Sequence, residues 1–263
     1  MPQRIISLAP SATSIICALG GKKSLIGVTR WCRDVVPVNG LPALGDCWHC
    51  DPEKVAALKP DLVIGSVPYK SETVAALLRR GLTFLAMNPR TLADISSDIT
   101  LLGKLLDREK QARKFIGQME SRRRAVAARA AKRRRPRVYC EVWSNPLIVA
   151  PRWVEEMVAL AGGRFVPTGG GRRIEEREVL AAKPEIIILA WAACGMRVKP
   201  EKVLRRPRWS ELPAVRNQQV YIVSDETLNT PGPPVVDGLE RLAKIIHPEI
   251  FGPPENEKVR RVG

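Results

Sequence analysis

Lys54-Val55-Ala56-Ala57-Leu58-Lys59-Pro60-Asp61-Leu62-Val63-Ile64 returns later in the chain as Glu178-Val179-Leu180-Ala181-Ala182-Lys183-Pro184-Glu185-Ile186-Ile187-Ile188. Each copy reads as a short amphipathic helix, a Lys-Pro-acid break and a run of branched apolar residues. Proline disfavours helical geometry at the residue before it, so each helix stops at its lysine. The apolar run that follows has the composition of a strand buried on both faces, the signature of a parallel sheet. Two such units half a chain apart imply two similar α/β lobes, and two lobes imply a cleft between them.

Working outward from the first copy, Ile5–Leu8 reads as a strand and Pro10–Leu19 as a turn and helix closed by Gly20-Gly21. Leu25–Val28, Leu62–Ile64 and Thr83–Met87 are further strands, with a helix over Glu72–Arg80. Strands alternating with helices argue for parallel sheets with right-handed crossovers. Thr91–Leu106 reads as a helix, and a second one runs to Arg134 with Phe115, Met119 and Val126 on one face. At 1.5 Å per residue, about 25 residues span roughly 38 Å, enough to join two lobes stiffly. Beyond Pro136 the pattern restarts: strands at Arg137–Val142, Arg164–Pro167, Ile186–Leu189 and Val220–Val223, with helices at Trp153–Leu160 and Val235–Ile246. The tail after His247-Pro248 reads as loose. The expected organisation is an N-terminal α/β lobe (1–106), a linking helix (107–135) and a C-terminal α/β lobe (136–263). Both lobes are Rossmann-like, with parallel central sheets and a ligand cleft between them.

Composition narrows the function. The 45% hydrophobic content is ordinary for a globular protein, and no apolar run approaches the roughly 20 residues of a membrane span. No basic stretch with an apolar core of about 7–15 residues precedes the first strand. The numbered chain therefore reads as cytoplasmic, or as extracytoplasmic if a leader was removed. The net charge of +16 is concentrated: Asp107–Arg137 carries 13 Lys/Arg against 3 Asp/Glu. That stretch is either a solvated helix face or a surface for nucleic acid or another acidic partner. No aromatic residues interleave Arg122–Arg124 or Lys132–Arg135, so stacking platforms for single strands are missing. Enzyme signatures are also missing: there is no G-x-S-x-G elbow, no phosphate loop of the G-x-x-x-x-G-K-[ST] type and no paired-carboxylate pattern. The expectation is a monomeric binding protein with no catalytic residues and no catalytic cofactor.

In open parallel sheets, ligands bind beyond the carboxyl ends of the strands. Those loops are 9–13, 29–33, 65–70 and 88–90 in the first half, and 143–147, 168–172, 190–196 and 225–234 in the second. They carry the candidate ligand contacts Ser11, Trp31, Cys32, Tyr69, Trp143, Trp191 and Asn229, joined by Trp48 of the nearby Cys47-Trp48-His49-Cys50 segment. Aromatics are only 5% of the chain, so their concentration there suits a large, flat, partly apolar ligand. Cys32, Cys47, His49 and Cys50 are soft ligands that a metal could share. They leave open a zinc site, a redox pair, plain thiols, or contact with a ligand-borne metal. Gly169-Gly170-Gly171-Arg172-Arg173 reads as a flexible loop or an anion cradle. His247, ending the last long helix, reads as a cap.

Arg4-Ile5-Ile6-Ser7-Leu8-Ala9-Pro10-Ser11-Ala12-Thr13, Leu19-Gly20, Leu25–Val28 and the Glu53–Ile64 phrase, with Pro231-Gly232-Pro233, Asp237–Glu240 and His247-Pro248, together resemble a known family. They resemble the substrate-binding proteins of ABC importers for cobalamin, haem and ferric siderophores, and look closest to the cobalamin branch. The likeness runs from about residue 4 to 248. It implies two α/β lobes joined by a rigid helix, a corrinoid or alternatively a ferric chelate or haem as ligand, and an ABC permease as partner. It also implies docking through an exposed glutamate on each lobe, matched here by Glu72 and Glu201. Ser14 stands where the family usually has an acid, and Thr230 and Pro234 stand where arginines often flank the Pro-Gly-Pro motif.

Overall fold

The Lys-Pro-acid phrase closes a helix the same way both times. In the structure, a computed structural model describing residues 2–254 and 258–262, Lys59 and Lys183 take left-handed backbone angles of φ 46° and 45°. The proline bars right-handed helix at the residue before it, and a left-handed residue ends the helix instead. The acid after each proline then turns back on the arginine that opens the neighbouring strand. Asp61 Oδ2 accepts from the Arg4 amide at 3.0 Å and Glu185 Oε2 from the Arg137 amide at 3.0 Å. The same arginines donate through Nε to the lysine carbonyls, Arg4 to Lys59 at 3.1 Å and Arg137 to Lys183 at 2.8 Å. The repeat thus has a third member, an arginine far upstream, and the three form a latch that sets the register of two parallel strands.

The chain forms two compact units. The first comprises residues 1–119 with 231–233. It runs β1 (Ile5–Ser7), α1 (Pro10–Ala18), β2 (Leu25–Val28), α2 (Pro52–Ala57), β3 (Leu62–Ser66), α3 (Ser71–Arg79), β4 (Phe84–Met87), α4 (Leu92–Leu105) and the start of α5 (Glu109–Ala130). Its sheet is wholly parallel, in the order β2-β1-β3-β4. Every residue of β3 is buried, as expected for a strand covered on both faces. Helix starts follow local chemistry: Pro10 and Pro52 stand at the first helical positions, the Asp51 side chain accepts from the Glu53 amide, and Thr91 and Asp94 form a reciprocal capping box.

The second unit comprises residues 120–230 and 234–263. After the end of α5 come β5 (Arg137–Ser144), β6 (Leu147–Val149), α6 (Arg152–Leu160), β7 (Arg164–Phe165), α7 (Glu176–Ala182), β8 (Ile186–Leu189), α8 (Glu201–Leu204), α9 (Pro213–Arg216), β9 (Val220–Val223), α10 (Pro234–Ile246), α11 (Pro248–Phe251) and β10 (Val259–Val262). The strands β7, β5, β8 and β9 pair in parallel, while β6 and β10 add antiparallel edges.

Three local readings change. The stretch 143–147 is not a free loop: Trp143 and Ser144 belong to β5, which turns through Asn145-Pro146 into β6. The long helix stops at Ala130, short of Arg134, because Lys132 turns left-handed (φ 66°). The tail is not loose throughout, since Val259–Val262 pairs along β9 and the Arg261 guanidinium bonds the Gln218 carbonyl at 2.7 Å.

Candidate functional site

The carboxyl edge of the first sheet carries thiols and aromatics, and they point different ways. The Cys32 thiol is fully buried between the hydroxyls of Thr13 (3.0 Å) and Thr29 (3.2 Å). Thr13 in turn donates to Ser7 Oγ at 2.8 Å. The Cys47 thiol is buried against the Leu8 carbonyl at 3.4 Å. Burial pushes the Cys47 thiol up to about 12 and the half-buried Cys50 up to about 11, and it raises Cys32 as well. His49 is exposed. Among the described residues no group of three or more His, Cys, Asp or Glu converges as a metal requires, so the four-residue metal cluster is not assembled. The reason is directional: two of its thiols turn into the core, where neutral thiols serve as small hydrogen-bonding hydrophobes.

The turn that carries these cysteines is built tightly. The Asp46 carboxylate accepts from the amides of Trp48 (2.9 Å) and His49 (2.8 Å), and Gly45 adopts φ 88° where a Cβ would strike the His49 carbonyl. Trp48 stays 48% exposed, and its carbonyl accepts from Thr73 Oγ1 at 3.1 Å. Trp31 is half-buried beneath the Arg30 guanidinium, 4.1 Å from the ring centre. Tyr69 packs partly buried against the Ile6, Leu8, Val63 and Leu77 cluster. Ser11 is buried in α1, and its carbonyl accepts from Ser14 Oγ at 2.7 Å. The chain returns to this unit at Pro231–Pro233, where a Cβ on Gly232 would lie 3.0 Å from Ser14 Oγ. Position 14 and the Pro-Gly-Pro segment therefore adjoin, and Ser14 fits that close packing without bringing a buried charge.

In the second unit the two tryptophans separate. Trp143 is 45% exposed, its indole N–H donating to the Asn145 carbonyl at 2.9 Å. Trp191 is 7% exposed and belongs to the core. Its indole N–H donates to Glu141 Oε1 at 2.9 Å. Glu141 is wholly buried and also accepts from Tyr139 Oη at 2.8 Å and from both Arg206 Nη atoms, at 2.6 and 2.9 Å. Burial disfavours the Arg206 cation, but the bonds and charge of Glu141 more than offset it, so its pKa rises. Burial, with Glu141 beside it, lifts the Tyr139 phenol well above its usual range. Arg206 also lies over the Trp209 ring at 4.6 Å, and Trp209 meets Tyr139 edge-on at 5.9 Å. Sequence reading missed this network. Its one signal is a lone acid inside the apolar run Val138-Tyr139-Cys140-Glu141-Val142.

The loop after β8 is fixed by the turn after β9. The Asp225 carboxylate accepts from the amides of Ala193 (2.8 Å) and Gly195 (2.7 Å), and Asn229 Nδ2 donates to the Ala190 carbonyl at 2.8 Å. Two of the three amides of the triple-glycine loop are already engaged, which disfavours an anion cradle: Gly170 donates to Glu155 Oε2 and Gly171 to the Ala150 carbonyl. The arginines of the basic segment are largely engaged too. Arg122 bonds Asp237 and Glu240, Arg134 pairs with Glu185, and Arg135 holds the Gly163 carbonyl. His247 is buried between Glu249 and the Gly162 carbonyl, as a packed bridge. Glu72 and Glu201 are exposed in the first turns of α3 and α8, the helices that follow the strand of each repeat. Among the described residues no helix is long and apolar enough to cross a membrane.

Comparison with known proteins agrees with this architecture. The chain is 28% identical to the ABC transporter substrate-binding lipoprotein YvrC of Bacillus subtilis over 95% of this chain and 82% of that one. It is 26% identical to the vitamin B12-binding protein of Vibrio cholerae over 91% and 87% of the two. A periplasmic haem-binding protein from Pseudomonas aeruginosa shares the fold along the full length of both chains, with a TM-score of 0.87 at 23% identity. The periplasmic vitamin B12-binding protein BtuF of Vibrio cholerae superposes with a TM-score of 0.76 at 24% identity, over 93% of this chain and 96% of that one. The family model for periplasmic binding proteins matches residues 5–227, and the chain belongs to the periplasmic binding protein family.

Proposed function

We propose that this chain is the non-enzymatic substrate-binding component of an ABC importer, and that its cargo is a corrinoid, cobalamin or a precursor. The observation that carries the reading is the set of aromatic side chains left open beside the strand ends: Trp48 and Trp143 about half exposed, Trp31 and Tyr69 partly so. Flat apolar faces of that kind suit a macrocycle better than a small polar solute. The B12-binding relative, matched over most of both chains, supports the same choice. Glu72 and Glu201 would meet basic residues of a permease, and such a role places the protein outside the cytoplasm.

The test is a titration of the purified protein with cyanocobalamin, haemin and a ferric hydroxamate, followed by absorbance and calorimetry. The reading expects cobalamin to bind in the micromolar range or tighter. No corrinoid binding below about 100 μM, which is weaker than roughly −5.5 kcal/mol, would sink it. Tight binding of haemin or the ferric chelate alone would move the cargo while keeping the class.

A further inference from the structure

Loop 190–195 combines backbone strain with buried anchoring. Ala193 takes a left-handed conformation (φ 61°) and Gly195 does so too (φ 53°). Lys59 and Lys183 take that conformation where they close helices, but Ala193 takes it in a loop, and left-handed residues in loops cluster at ligand clamps and switch segments. Three side chains from elsewhere in the same unit hold the loop there. Glu141 takes the Trp191 indole N–H, Asp225 takes the amides of Ala193 and Gly195, and Asn229 holds the Ala190 carbonyl. Glu141 is itself fixed by Arg206 and Tyr139.

The outer edge of the loop is what these anchors leave free: Ala193 exposed, and Ala192, Cys194 and Met196 half-buried. Small side chains on a fixed backbone let a broad rigid ligand approach closely. The loop also leaves the carboxyl end of β8, where open α/β sheets place their ligands. Glu141, itself held by Tyr139 and both Arg206 Nη atoms, fixes the Trp191 indole N–H, so the ring is held in the core and does not swing as a wall.

We infer that Glu141, Asp225 and Asn229 are positioning residues that pre-set the 190–195 backbone as a platform for cargo, with Trp191 as its anchor and not a ligand-facing wall. The inference rests on the cargo-binding reading above. Pre-organisation of this kind raises affinity by removing the ordering cost at binding.

Two mild variants test it. Trp191→Phe removes the indole N–H together with the second ring of the buried side chain, and leaves Glu141 bonded to Arg206 and Tyr139. Asp225→Asn keeps the shape but sets an amide donor against one of the two backbone amides. Hydrogen–deuterium exchange on the unliganded full chain should show at least a tenfold rise at 190–195 in each variant. Exchange in β8 and β9 should stay unchanged. Cyanocobalamin affinity should fall at least tenfold in both, by slower association and faster release, with the melting temperature held within a few degrees. Unchanged loop exchange would overturn the inference, and so would undiminished affinity in a variant whose loop has loosened. Failure of the unmutated protein to bind any chelate would overturn the cargo reading instead, and the exchange experiment does not depend on it.

Discussion

Alanine at two helical glycines should move stability in opposite directions. Gly117 lies on the exposed face of α5, and nothing stands within 4 Å of the place a Cβ would occupy. Alanine there narrows the unfolded ensemble and touches nothing, so Gly117→Ala should gain about 0.5–1 kcal/mol. Gly238 is buried in α10, and its Cβ would press into the Thr227 carbonyl oxygen while lying 3.0 Å from both Leu228 Cδ2 and Met157 Cε. The same helical gain of about 1 kcal/mol applies, but overpacking typically costs about 1–3 kcal/mol. A backbone oxygen cannot swing aside as a side-chain end can, so the cost belongs at the top of that range. The net for Gly238→Ala is a loss of about 1–2 kcal/mol, or roughly 2–8 °C in melting temperature for a chain of this size. Guanidinium unfolding followed by far-UV circular dichroism measures both variants. A local reporter is available as well: the Trp153 indole N–H donates to the Leu228 carbonyl at 2.8 Å, so displacing residues 227–228 should shift tryptophan emission in Gly238→Ala alone. A Gly238→Ala protein as stable as Gly117→Ala, with unshifted emission, would refute the reasoning.

Four further outcomes are expected. Glu141→Ala strands the buried Arg206 cation and should cost about 3–5 kcal/mol in urea unfolding, whereas the apolar pair Glu141→Leu with Arg206→Met should recover most of it. Thr91→Ala removes the hydroxyl that accepts the Asp94 amide at 3.1 Å and should cost about 1 kcal/mol; no loss would mean that Asp94 alone holds the start of α4. Burial, with Asp94 nearby, lifts the Asp98 carboxyl to about 6, so the native state holds its proton more tightly than the unfolded chain does, and its contribution to stability falls as pH rises from about 4 to 6. Asp98→Asn should therefore be the more stable protein at pH 7, with the two melting curves converging below pH 4; parallel curves would refute the shift. Glu72→Arg and Glu201→Arg should leave cargo affinity unchanged and abolish uptake in a reconstituted transport assay, and undiminished uptake would remove these residues from the docking surface.

The fold was legible because its rules are local. A proline after lysine forbids one backbone region whatever the tertiary structure, so both helix ends could be placed from the phrase alone. Leu62–Ile64 of β3 and the whole of β8 are apolar and buried, as strands covered on both faces are, and that composition needs no partner to be recognised. The edges were not legible for the converse reason. Val259-Arg260-Arg261-Val262 does not alternate, and it is a strand only because β9 offers unpaired backbone groups beside it. Charged residues are the usual tenants of such an edge, so composition read it as a tail.

The aromatics show where sequence reading of a site stops. Trp143 and Trp191 each stand just past a run of apolar residues, and a rule that searches the loops beyond strand ends treats them alike. The structure gives them opposite roles, one half exposed and the other in the core. The difference lies in Arg206, 65 residues from Glu141 in the chain, because a buried carboxylate neutralised by that guanidinium can also accept an indole N–H. Without the cation, Glu141 would be a buried unpaired charge, and Trp191 would lose the acceptor that holds it inward. Whether a tryptophan lines a binding surface is therefore decided by a charge pair that no local window contains. The cysteines make the same point: the spacing is compatible with a metal, but Leu8 holds the Cys47 thiol in the core and Thr13 and Thr29 hold that of Cys32. Trp31, Trp48, Tyr69 and Trp143 keep part of their surface exposed, and the Trp143 indole N–H is held locally by the Asn145 carbonyl, two residues away.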